Sequence, residues 1–560
     1  MTASTGAVPA HGAEPSGHAD PFCRDALPPR ELWPELRFDR IPDLAYPPRL
    51  NCAAELLDRT VAAGHGDRTV FRFPGGRWTY AELLARANRI ARVLVEELGL
   101  VPGNRVLLRG FNAPTTAACW FAILKAGGVV VCTMPLLRTR ELQSVADKAR
   151  IALALCDGRL AAECEEAMRT TAAGAPRGGG RVVRYGERGA EEELERLMRD
   201  RPADFANADT AADDVALVAF TSGTTGQGKG TMHFHRDVLA VYDCFPKHVL
   251  RPTADDVFCG SPPFAFTFGL GGLVLFPMRV GASSVLLEEA TPPHLLRGIE
   301  AFRPTISFTA PTAYRAMCNL LAEGGRDVTS LRQCVSAGEA LPRGTFEAWE
   351  RATGIRIVDG IGATELLHIF ISAAGDDIRP GSTGRVVPGY EATVLDADGR
   401  EAPPGTVGRL AVRGPTGCRY LDDVERQRAY VHDGWNLTGD SYVRDGDGYF
   451  WYQARTDDMI ISSGYNIAAP EVESVLLLHP SVQECAVVGL PDEERGQVVT
   501  AYVVLRAGHA ATAETAAELQ AFVKREIAPY KYPRRVEFVA ALPRTATGKL
   551  QRYRLREGAR

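Results

Sequence analysis

The sequence lacks the features of a disulfide-stapled or zinc-binding protein. Its 12 cysteines are scattered, and no two stand closer together than Cys156 and Cys164. Without a Cys-x-x-Cys pair or a Cys/His knuckle, neither a disulfide framework nor a structural zinc site is predicted. This usage is typical of a reducing compartment, and we predict a cytoplasmic protein.

Long apolar runs and a large charge of one sign are also missing. No 18 consecutive apolar residues occur, so no membrane span is predicted. The formal net charge is −5 over 560 residues, which argues against nucleic acid as a partner. The exception is the basic stretch 524–560, which favours contact with anionic groups such as the phosphates of small ligands.

The first residues differ in composition from the rest of the chain. They are rich in Ala, Gly and Pro and lack the apolar stretch of a signal peptide, so we predict a disordered leader over residues 1–40. The remaining length is too great for one ordinary hydrophobic core. We predict a large domain over residues 41–456 and a small domain over residues 457–560.

Strand and helix patterns alternate through the first half of the chain. Residues 105–109 are a strand candidate, 115–126 a helix and 128–132 the next strand, an order that predicts parallel pairing with a crossover. Further strand candidates are residues 215–220, 283–287, 305–308 and 355–358. The first half is therefore predicted to contain stacked α/β subdomains.

The second half of the chain has a different residue pattern. Between residues 391 and 455, alternating apolar residues and repeated Asp-Gly turns predict a β-rich subdomain built from hairpins. After residue 455, Pro470 stands where a first helical turn tolerates proline, and His479-Pro480 ends that helix. The overall fold class we predict is α/β, with a small α+β domain at the end.

A glycine-rich loop at residues 220–230 (FTSGTTGQGKG) directly follows an apolar run. Its backbone amides, its hydroxyls and the Lys229 cation can cradle a polyphosphate. The spacing from Gly223 to Lys229 also matches the phosphate loop of P-loop NTPases. That motif requires Ser or Thr at the next position, where Gly230 stands. A P-loop NTPase is therefore a distant alternative.

Together with later motifs, this loop resembles the signature of the adenylate-forming family of acyl- and aryl-CoA synthetases, luciferases and peptide-synthetase adenylation domains. The later motifs follow in the family's order: DGIGATE at 359–365, GWNLTGD at 434–440, ARTDDMIISSGYN at 454–466 and PRTATGKL at 543–550. The resemblance covers residues 41–556. It implies a ligase that uses ATP, Mg²⁺ and coenzyme A, whose small domain is a mobile lid, and we expect a monomer or homodimer.

The resemblance also assigns roles to individual residues. Those implied to be catalytic are Lys549, Glu365, Thr364 and Lys229, with Glu365 also holding Mg²⁺. Those implied to contact the nucleotide are Thr221, Ser222, Gly223, Thr224, Thr225, Gly338, Glu339, Asp359, Gly360, Asp440 and Arg455. Asp457 is implied to be the interdomain hinge, and Gly464 to line the tunnel for the pantetheine arm of coenzyme A, since a Cβ there would narrow it.

Residues 262–272 (PPFAFTFGLGG) suggest which acid is bound, because their aromatic rings and small residues suit a flat apolar slot. The alternative is an ordinary core, to which phenylalanines at this spacing belong more often than not. This stretch is similar to that of 2-aminobenzoate-CoA and benzoate-CoA ligases. The pocket residues implied are Ala265, Phe266, Ala310, Ile361, Gly362, His368 and Ile369. His368 would meet an ortho substituent or the carboxylate, with a satisfied core histidine as the alternative.

The predicted activity is formation of an aryl-CoA thioester through an aryl-AMP. We expect 2-aminobenzoate as the acid, with salicylate and benzoate as the other candidates. The alternative is a stand-alone adenylation enzyme that loads a separate carrier protein, because the chain itself carries no carrier-domain Ser motif.

Overall fold

The computed structural model describes residues 15–171, 180–186, 191–221, 229–455, 459–462, 465–492, 495–527, 529–544 and 550–557. These residues form four β-sheets, three before residue 456 and one after it. Helices cover the parallel sheets, and the predicted α/β class is confirmed.

The first sheet has six strands, and all neighbouring pairs except the last are parallel. In spatial order the strands are Arg181–Tyr185, Leu153–Asp157, Arg105–Arg109, Val129–Thr133, Val215–Thr221 and Lys229–Phe234. The predicted crossover is confirmed, because the helix Pro114–Lys125 connects two parallel neighbours. Every residue of this helix is buried, as its almost wholly apolar sequence requires.

The second sheet has nine strands and provides the floor of the site described below. In spatial order they are Arg385–Val386, Ile369–Ser372, Ile357–Gly362, Gln333–Ser336, Ile306–Thr309, Val257–Gly260, Ser283–Val285, Thr69–Phe73 and Gly76–Thr79. The six strands from Ile357–Gly362 to Thr69–Phe73 are parallel, and antiparallel strands complete both ends. Nearly all residues of these six strands are buried or half-buried, as expected of parallel strands in a sheet that helices cover.

The third sheet is antiparallel, as the Asp-Gly turns predict. Its strands in spatial order are Glu391–Leu395, Val407–Arg413, Trp435–Arg444 and Val431–His432, with Phe450–Arg455 also pairing with Trp435–Arg444. Asp433-Gly434 joins the two strands of one of its hairpins, and both residues have positive φ. That backbone is the one two-residue hairpin turns require, and it explains the preference for Asp-Gly.

The fourth sheet belongs to the C-terminal region. Its strands are Tyr465–Ala468, Met459–Ser462, Gly496–Leu505 and Val482–Asp492, and Arg535–Phe538 pairs in parallel with Gly496–Leu505. The helices Ala469–Leu476 and Ala513–Glu526 bury apolar residues against it in a separate core. The first of them begins with Pro470 in its first turn, as predicted. The boundary expected at residue 456 falls in the undescribed stretch 456–458.

The predicted disordered leader over residues 1–40 is wrong for its described part, which starts at residue 15. Gly17 donates its backbone N–H to Asp214 at 2.8 Å, and Cys23 is completely buried. The Trp33 ring lies 5.7 Å from that of Phe234. Composition misleads here because the order of this segment comes from contacts with residues about 200 positions away, not from its own apolar content.

The remaining helices connect or cover these sheets. They are Phe22–Asp25, Tyr80–Arg92, Thr139–Lys148, Ala161–Thr170, Glu193–Met198, His235–Phe245, Thr267–Leu270, Phe276–Arg279, Pro292–Phe302, Pro311–Ala322, Arg343–Thr353, Val424–Tyr430 and Arg552–Glu557. Wider or tighter helical turns are Arg30–Leu32, Pro42–Leu44, Ala54–Asp58, Val61–His65, Val93–Glu97, Gly158–Leu160, Pro246–Leu250, Gly271–Leu275, Thr364–Leu366, Gly375–Asp377 and Pro529–Lys531. Across the part of the chain that is described, no helix has the length and apolar content to cross a membrane.

Candidate active site

The carboxyl edge of the nine-stranded sheet brings together two of the segments predicted to contact the nucleotide. Strands Gln333–Ser336 and Ile357–Gly362 are parallel neighbours, so the loops that follow them leave the same edge. Gly338 and Glu339 follow the first strand, and Gly338 has φ +91° with open space where a Cβ would stand. Ligands bind at such edges because adjacent loops diverge there and leave a crevice.

Asp359, in the second of these strands, presents a buried and unsatisfied carboxyl oxygen. Its Oδ1 has no hydrogen-bond partner among the described residues. Burial raises the pKa of this carboxyl to about 7. Gly360 follows it, and a Cβ there would lie 2.8 Å from Ile369 Cδ1, so this position is close-packed. The free oxygen of Asp359 is suited to accept a hydrogen bond from an exocyclic amino group.

The turn Thr364–Leu366 follows that strand and is fixed by two buried side chains from other segments. His233 Nε2 lies 2.8 Å from the carbonyl oxygen of Thr364. Burial lowers the pKa of His233 to about 3, so the ring is neutral, and Nε2 carries the proton because a carbonyl can only accept. Thr416 Oγ1 donates to the carbonyl of Leu366 at 2.7 Å. The turn is therefore tied to the strand after the glycine-rich loop.

Glu365, at the centre of this turn, is oriented by a tyrosine. The Tyr420 Oη donates to Glu365 Oε1 at 2.6 Å, and Tyr420 is 2% exposed. Leu367, just after the turn, has φ +69°, a strained conformation for a leucine. Strain of this kind persists only where the surrounding contacts enforce it, and it is frequent at functional sites.

The arrangement around Glu365 fits a magnesium ion that arrives with a nucleotide. Glu365 forms no ion pair with a basic side chain within the described ranges. The same ranges contain no cluster of three or more His, Cys, Asp or Glu side chains that would make a cage of protein ligands. Mg²⁺ is commonly held by one or two carboxylates together with substrate phosphates and water. A single uncompensated carboxylate is the donor set such an ion needs.

The strands on either side of the glycine-rich loop form an antiparallel pair. Thr221 and Lys229 stand opposite each other at its end, and Lys229 starts the second strand. Ser222, Gly223, Thr224 and Thr225 lie outside the described residues. The P-loop alternative is contradicted, because a P-loop NTPase has a helix N-terminus directly after the loop, and here the strand Lys229–Phe234 follows.

Asp440 and Arg455 meet on neighbouring antiparallel strands. They stand opposite each other, and Arg455 Nη1 donates to Asp440 Oδ1 at 3.1 Å. The guanidinium crosses Gly439, which has φ +78° and where a Cβ would lie 2.9 Å from Arg455 Nη2. Asp440 is 8% exposed, and the Arg455 side chain is about half exposed (49%). The pair offers an oriented carboxylate of the type that binds two neighbouring hydroxyls.

His368 lies in a cage of aromatic rings. Its ring centroid is 4.5 Å from that of Phe276, 5.7 Å from that of Phe268 and 5.8 Å from that of Phe245. Neither ring nitrogen has a hydrogen-bond partner among the described residues. Burial lowers the pKa of His368 to about 3, so the ring is neutral. A neutral imidazole has one donor and one acceptor nitrogen, so this ring could still form a hydrogen bond with a ligand, and the role of His368 stays a prediction.

Glycines allow the chain to approach that ring closely. A Cβ on Gly271 would lie 2.5 Å from His368 Nε2, and one on Gly362 would lie 2.8 Å from the His368 carbonyl oxygen. Gly271 also begins the wide helical turn Gly271–Leu275, a type of turn frequent at functional sites. The shape of this region is therefore set by close packing rather than by hydrogen bonds.

The loop after strand Val257–Gly260 is held in place by Asn112. Asn112 Nδ2 donates to the Pro262 carbonyl at 3.0 Å, and its Oδ1 accepts the Phe264 N–H at 2.9 Å. Ala265 and Phe266 lie at the end of this loop, half-buried, before the helix Thr267–Leu270. The loop is thus fixed although it has no regular structure.

The other predicted pocket residues stand on adjoining strands of the same sheet. Ala310 follows strand Ile306–Thr309, the parallel neighbour of Val257–Gly260. Ile361 lies opposite Ile371, and Gly362 lies opposite Ile369. The structure therefore brings the pocket positions to one edge of the sheet, next to Asp359 and the Glu365 turn.

Three residues predicted for the small domain, Lys549, Asp457 and Gly464, lie outside the described residues. Part of the basic C-terminal stretch is engaged within the domain itself. Lys531 Nζ contacts both Glu471 oxygens at 2.6 and 2.7 Å, and Arg552 pairs with Glu473 at 2.8 Å. Residues 524–560 contain 11 Lys and Arg and 3 Glu, a formal charge of +8. Because some of these cations neutralise carboxylates outside the stretch, less charge than that is left for a ligand.

The sequence reasoning missed His233, Thr416, Tyr420 and Asn112. Each forms a hydrogen bond with a residue far away along the chain, and none belongs to a predicted motif. His233 lies just after the glycine-rich loop. Tyr420 and Glu365, for example, are 55 residues apart. No local spacing signals such a contact.

The chain matches two protein-family models. Residues 58–419 match the AMP-binding enzyme family, and residues 471–549 match the AMP-binding enzyme C-terminal domain. The matches fall on the regions before and after the undescribed stretch at 456–458.

Among curated relatives, the benzoate–CoA ligase of Thauera aromatica is 36% identical over 521 residues, which is 92% of this chain and 97% of that protein. The 3-hydroxybenzoate–CoA ligase of Aromatoleum sp. (strain CIB) is 30% identical over 521 residues, or 91% of this chain and 97% of that protein. Among solved structures, the anthranilate CoA ligase AuaEII in complex with anthranoyl-AMP has a TM-score of 0.87 at 33% identity, covering 93% of this chain and 99% of that one. A benzoate CoA ligase from Burkholderia xenovorans LB400 has a TM-score of 0.81 at 33% identity, covering 90% and 100%.

Proposed function

The chain belongs to the AMP-binding enzyme family, and we propose that it activates an aromatic carboxylic acid with ATP and transfers the acyl group to coenzyme A. In the first step the carboxylate attacks the α-phosphorus of ATP, which yields the aryl-AMP and pyrophosphate. In the second step the thiolate of coenzyme A attacks the acyl carbon and releases AMP. The enzyme is thus an AMP-forming acid–thiol ligase.

One observation carries the proposal: a single β-hairpin, residues 357–372, carries residues that we assign to the base, the metal-bound phosphate and the acid. Its first strand carries Asp359 and then Ile361, its turn carries Glu365, and His368 begins the return. A base, a metal-bound phosphate and an acid that bind along this hairpin would be neighbours. Such proximity is what a reaction between the acid and the α-phosphate requires.

The chemical difficulty of the first step is electrostatic. A carboxylate and a phosphate are both negative, so cations directed at the developing charge lower the barrier, each by about 3 kcal/mol by analogy with oxyanion donors. We assign Lys549 to the attacking carboxylate and α-phosphate, and Lys229 with the hydroxyls of the glycine-rich loop to the departing phosphates. A magnesium ion at Glu365 would supply Lewis-acid stabilisation of pyrophosphate when bound.

Nucleotide recognition in the proposal uses the polar residues of the sheet edge. The unsatisfied Oδ1 of Asp359 would accept from the amino group of adenine, which guanine does not present at that position. Asp440, oriented by Arg455, would accept from the two ribose hydroxyls. Gly338 and Glu339 would flank the base from the neighbouring loop.

The second step requires a different face of the small domain. We propose that the domain turns about Asp457, withdraws the Lys549 loop and brings Gly464 to the channel for the pantetheine arm. A glycine suits that place because any side chain would narrow the channel. The same site would then serve two reactions in sequence.

For the acid, we propose 2-aminobenzoate first, with salicylate and benzoate as the other candidates. The proposed pocket positions include aromatic rings and small residues, and neither nitrogen of the neutral His368 ring has a hydrogen-bond partner among the described residues. An ortho amino or hydroxyl group could donate to that nitrogen. The similarity to structures of an anthranilate CoA ligase and a benzoate CoA ligase supports this class of acid.

The proposal is tested by ATP–pyrophosphate exchange with a panel of substituted benzoates, followed by thioester detection with coenzyme A. We expect exchange with aromatic acids, fastest with 2-aminobenzoate, and an aryl-CoA product. Exchange without thioester, but with loading of a separate carrier protein, would indicate the stand-alone adenylation enzyme instead. If no aromatic acid yields AMP and pyrophosphate, the proposed function is refuted.

The choice of acid is tested through His368→Phe. Loss of one neutral hydrogen bond should lower kcat/KM for 2-aminobenzoate roughly five- to tenfold relative to that for benzoate. The KM for ATP should not change. An unchanged ratio of the two acids would show that His368 does not read the ortho position.

A further inference from the structure

Tyr420 contacts the candidate metal carboxylate although it lies in none of the recognised motifs. Its Oη donates to Glu365 Oε1 at 2.6 Å. The residue lies between the strand Val407–Arg413 and the helix Val424–Tyr430, and it is 2% exposed. A phenol that donates to a carboxylate forms a charge-assisted hydrogen bond, which is stronger than a bond between neutral groups.

The backbone around Tyr420 is fixed on two sides. Its N–H donates to Gln427 Oε1 at 2.9 Å, and Gln427 is completely buried. On the other side, the Leu421 N–H donates to the Gly230 carbonyl at 2.8 Å, and the Met232 N–H donates to the Arg419 carbonyl at 2.8 Å. The phenol therefore stands between the strand that leaves the glycine-rich loop and the turn that carries Glu365.

This position has a consequence for the two oxygens of Glu365. The Tyr420 bond uses one lone pair of Oε1 and favours one orientation of the carboxylate. Oε2 then has both lone pairs left for a cation, which makes it the better-placed oxygen. Mg²⁺ demands near-octahedral geometry. A carboxylate held in one orientation meets this demand better than a carboxylate that rotates freely. A pre-oriented carboxylate also loses less conformational freedom when the ion arrives.

We propose that Tyr420 is a positioning residue that presents one oxygen of Glu365 to the magnesium ion of Mg-ATP. The proposal rests on the proposed function for the identity of the nucleotide and its ion. The competing explanation is that Tyr420 only fills space and satisfies its own buried hydroxyl. The two differ in whether removal of the hydroxyl affects metal-dependent binding in particular.

The experiment measures binding of α,β-methylene-ATP by calorimetry, with Mg²⁺ and with EDTA, in wild type and Tyr420→Phe. We expect the gain in affinity that Mg²⁺ gives the wild type to fall roughly tenfold or more in Tyr420→Phe, with unchanged affinity in EDTA. An equal loss in Mg²⁺ and in EDTA, or no loss in either, would overturn the proposal.

Tyr430→Phe is the matched control, because its ring lies 5.8 Å from that of Tyr420 and its buried Oη has no hydrogen-bond partner among the described residues. This variant removes the same chemical group from the neighbouring ring, and we expect no Mg²⁺-dependent loss of affinity. A loss equal to that of Tyr420→Phe would show that the effect is general to this aromatic cluster and would overturn the proposal.

The pathway through Glu365 is tested by a double substitution. In a Glu365→Gln background, Tyr420→Phe should cause no further Mg²⁺-dependent loss, because the group that it positions no longer carries charge. An additional loss of the same size as in wild type would overturn the proposal. Should Tyr420→Phe fail to fold, Glu365→Gln alone must still remove the Mg²⁺-dependent gain, and retention of that gain would overturn it.

This measurement requires no acid and no turnover, so its failure is distinguishable from failure of the proposed function. If the Tyr420→Phe variant binds Mg-nucleotide as tightly as wild type and still makes aryl-AMP, only the positioning role is refuted. A chain that makes no aryl-AMP with any aromatic acid refutes the function.

Discussion

The nucleotide side and the acid side of the hairpin 357–372 are held in shape by different forces. On the nucleotide side, Glu365 and the turn around it are fixed by hydrogen bonds from His233, Thr416 and Tyr420. On the acid side, His368 is enclosed by rings and glycines, and its nitrogens have no hydrogen-bond partner within the described residues. The first side should be sensitive to loss of a donor, and the second to a change of volume.

The largest expected effect concerns the residue that we propose joins the two sides. Lys549→Ala should lower ATP–pyrophosphate exchange by about 10³-fold for every acid, because one charged donor to the transition state is lost. Thioester formation from supplied aryl-AMP should be spared, since that step does not use the lysine. Lys524→Ala, an exposed lysine of the same domain, is the control and should affect neither step. Equal loss of both steps would contradict the assignment.

Asp359 provides the next test, on the nucleotide side. Burial raises its pKa to about 7, whereas the unfolded chain titrates near 3.8. Between these values the folded protein binds more protons, so this carboxyl makes the wild type less stable as pH rises from about 4 to about 7. Asp359→Asn should remove that dependence. Relative to wild type, the variant should gain up to about 4 kcal/mol of unfolding free energy across this range, measured by denaturant unfolding without nucleotide.

Asp327→Asn is the control for this pH dependence, because the pKa of Asp327 is shifted in the opposite direction. Hydrogen bonds from Thr329 and Arg303 lower the pKa of Asp327, so that carboxyl stays charged above pH 5. Its substitution should therefore give a difference from wild type that does not vary between pH 5 and pH 8. If the difference in unfolding free energy between Asp359→Asn and wild type also does not vary with pH, the Asp359 carboxyl does not have the raised pKa described.

On the acid side, Gly271→Ala should lower kcat/KM for the aromatic acid about 10- to 100-fold. The added Cβ would stand 2.5 Å from His368 Nε2, so His368 or the backbone must shift, and shifts forced by overpacking typically cost about 1–3 kcal/mol. The KM for ATP should stay the same, because no donor on the nucleotide side is touched. Gly446→Ala, at a site with no atom within 4 Å of the new Cβ, is the matched control. A rise in the KM for ATP would show that the two sides are not independent.

Features that depend on local sequence patterns could be predicted from the sequence. Alternating strand and helix patterns predicted the crossover around Pro114–Lys125 and the antiparallel third sheet, because both patterns are local. The motif residues Asp359 and Asp440 were predicted from resemblance, and the structure places each of them on a strand at the candidate site. Residue types at short spacing were sufficient for these.

What the sequence could not predict depends on contacts between distant segments. His233 and Thr364 are 131 residues apart, and neither neighbourhood indicates that one will bond the other. The leader fails as a prediction for the same reason, because Gly17 is ordered through Asp214, almost 200 residues away. Amino-acid composition measures how much a segment can bury by itself and does not measure what another segment will provide.

The smallest expected effect separates stability from function within the nucleotide side. Arg455 and Asp440 form an ion pair whose arginine is half exposed, and such pairs contribute about 0–1 kcal/mol. Arg455→Ala should therefore change the free energy of unfolding by less than about 1 kcal/mol, yet raise the KM for ATP several-fold because the Asp440 carboxylate loses its orientation. Arg444→Ala is the control: Arg444 lies on the strand that carries Asp440, its substitution breaks an ion pair with Glu401, and the KM for ATP should not change. If both variants raise the KM equally, the Asp440 pair has no special connection with the nucleotide, and polar contacts on this side serve the fold alone.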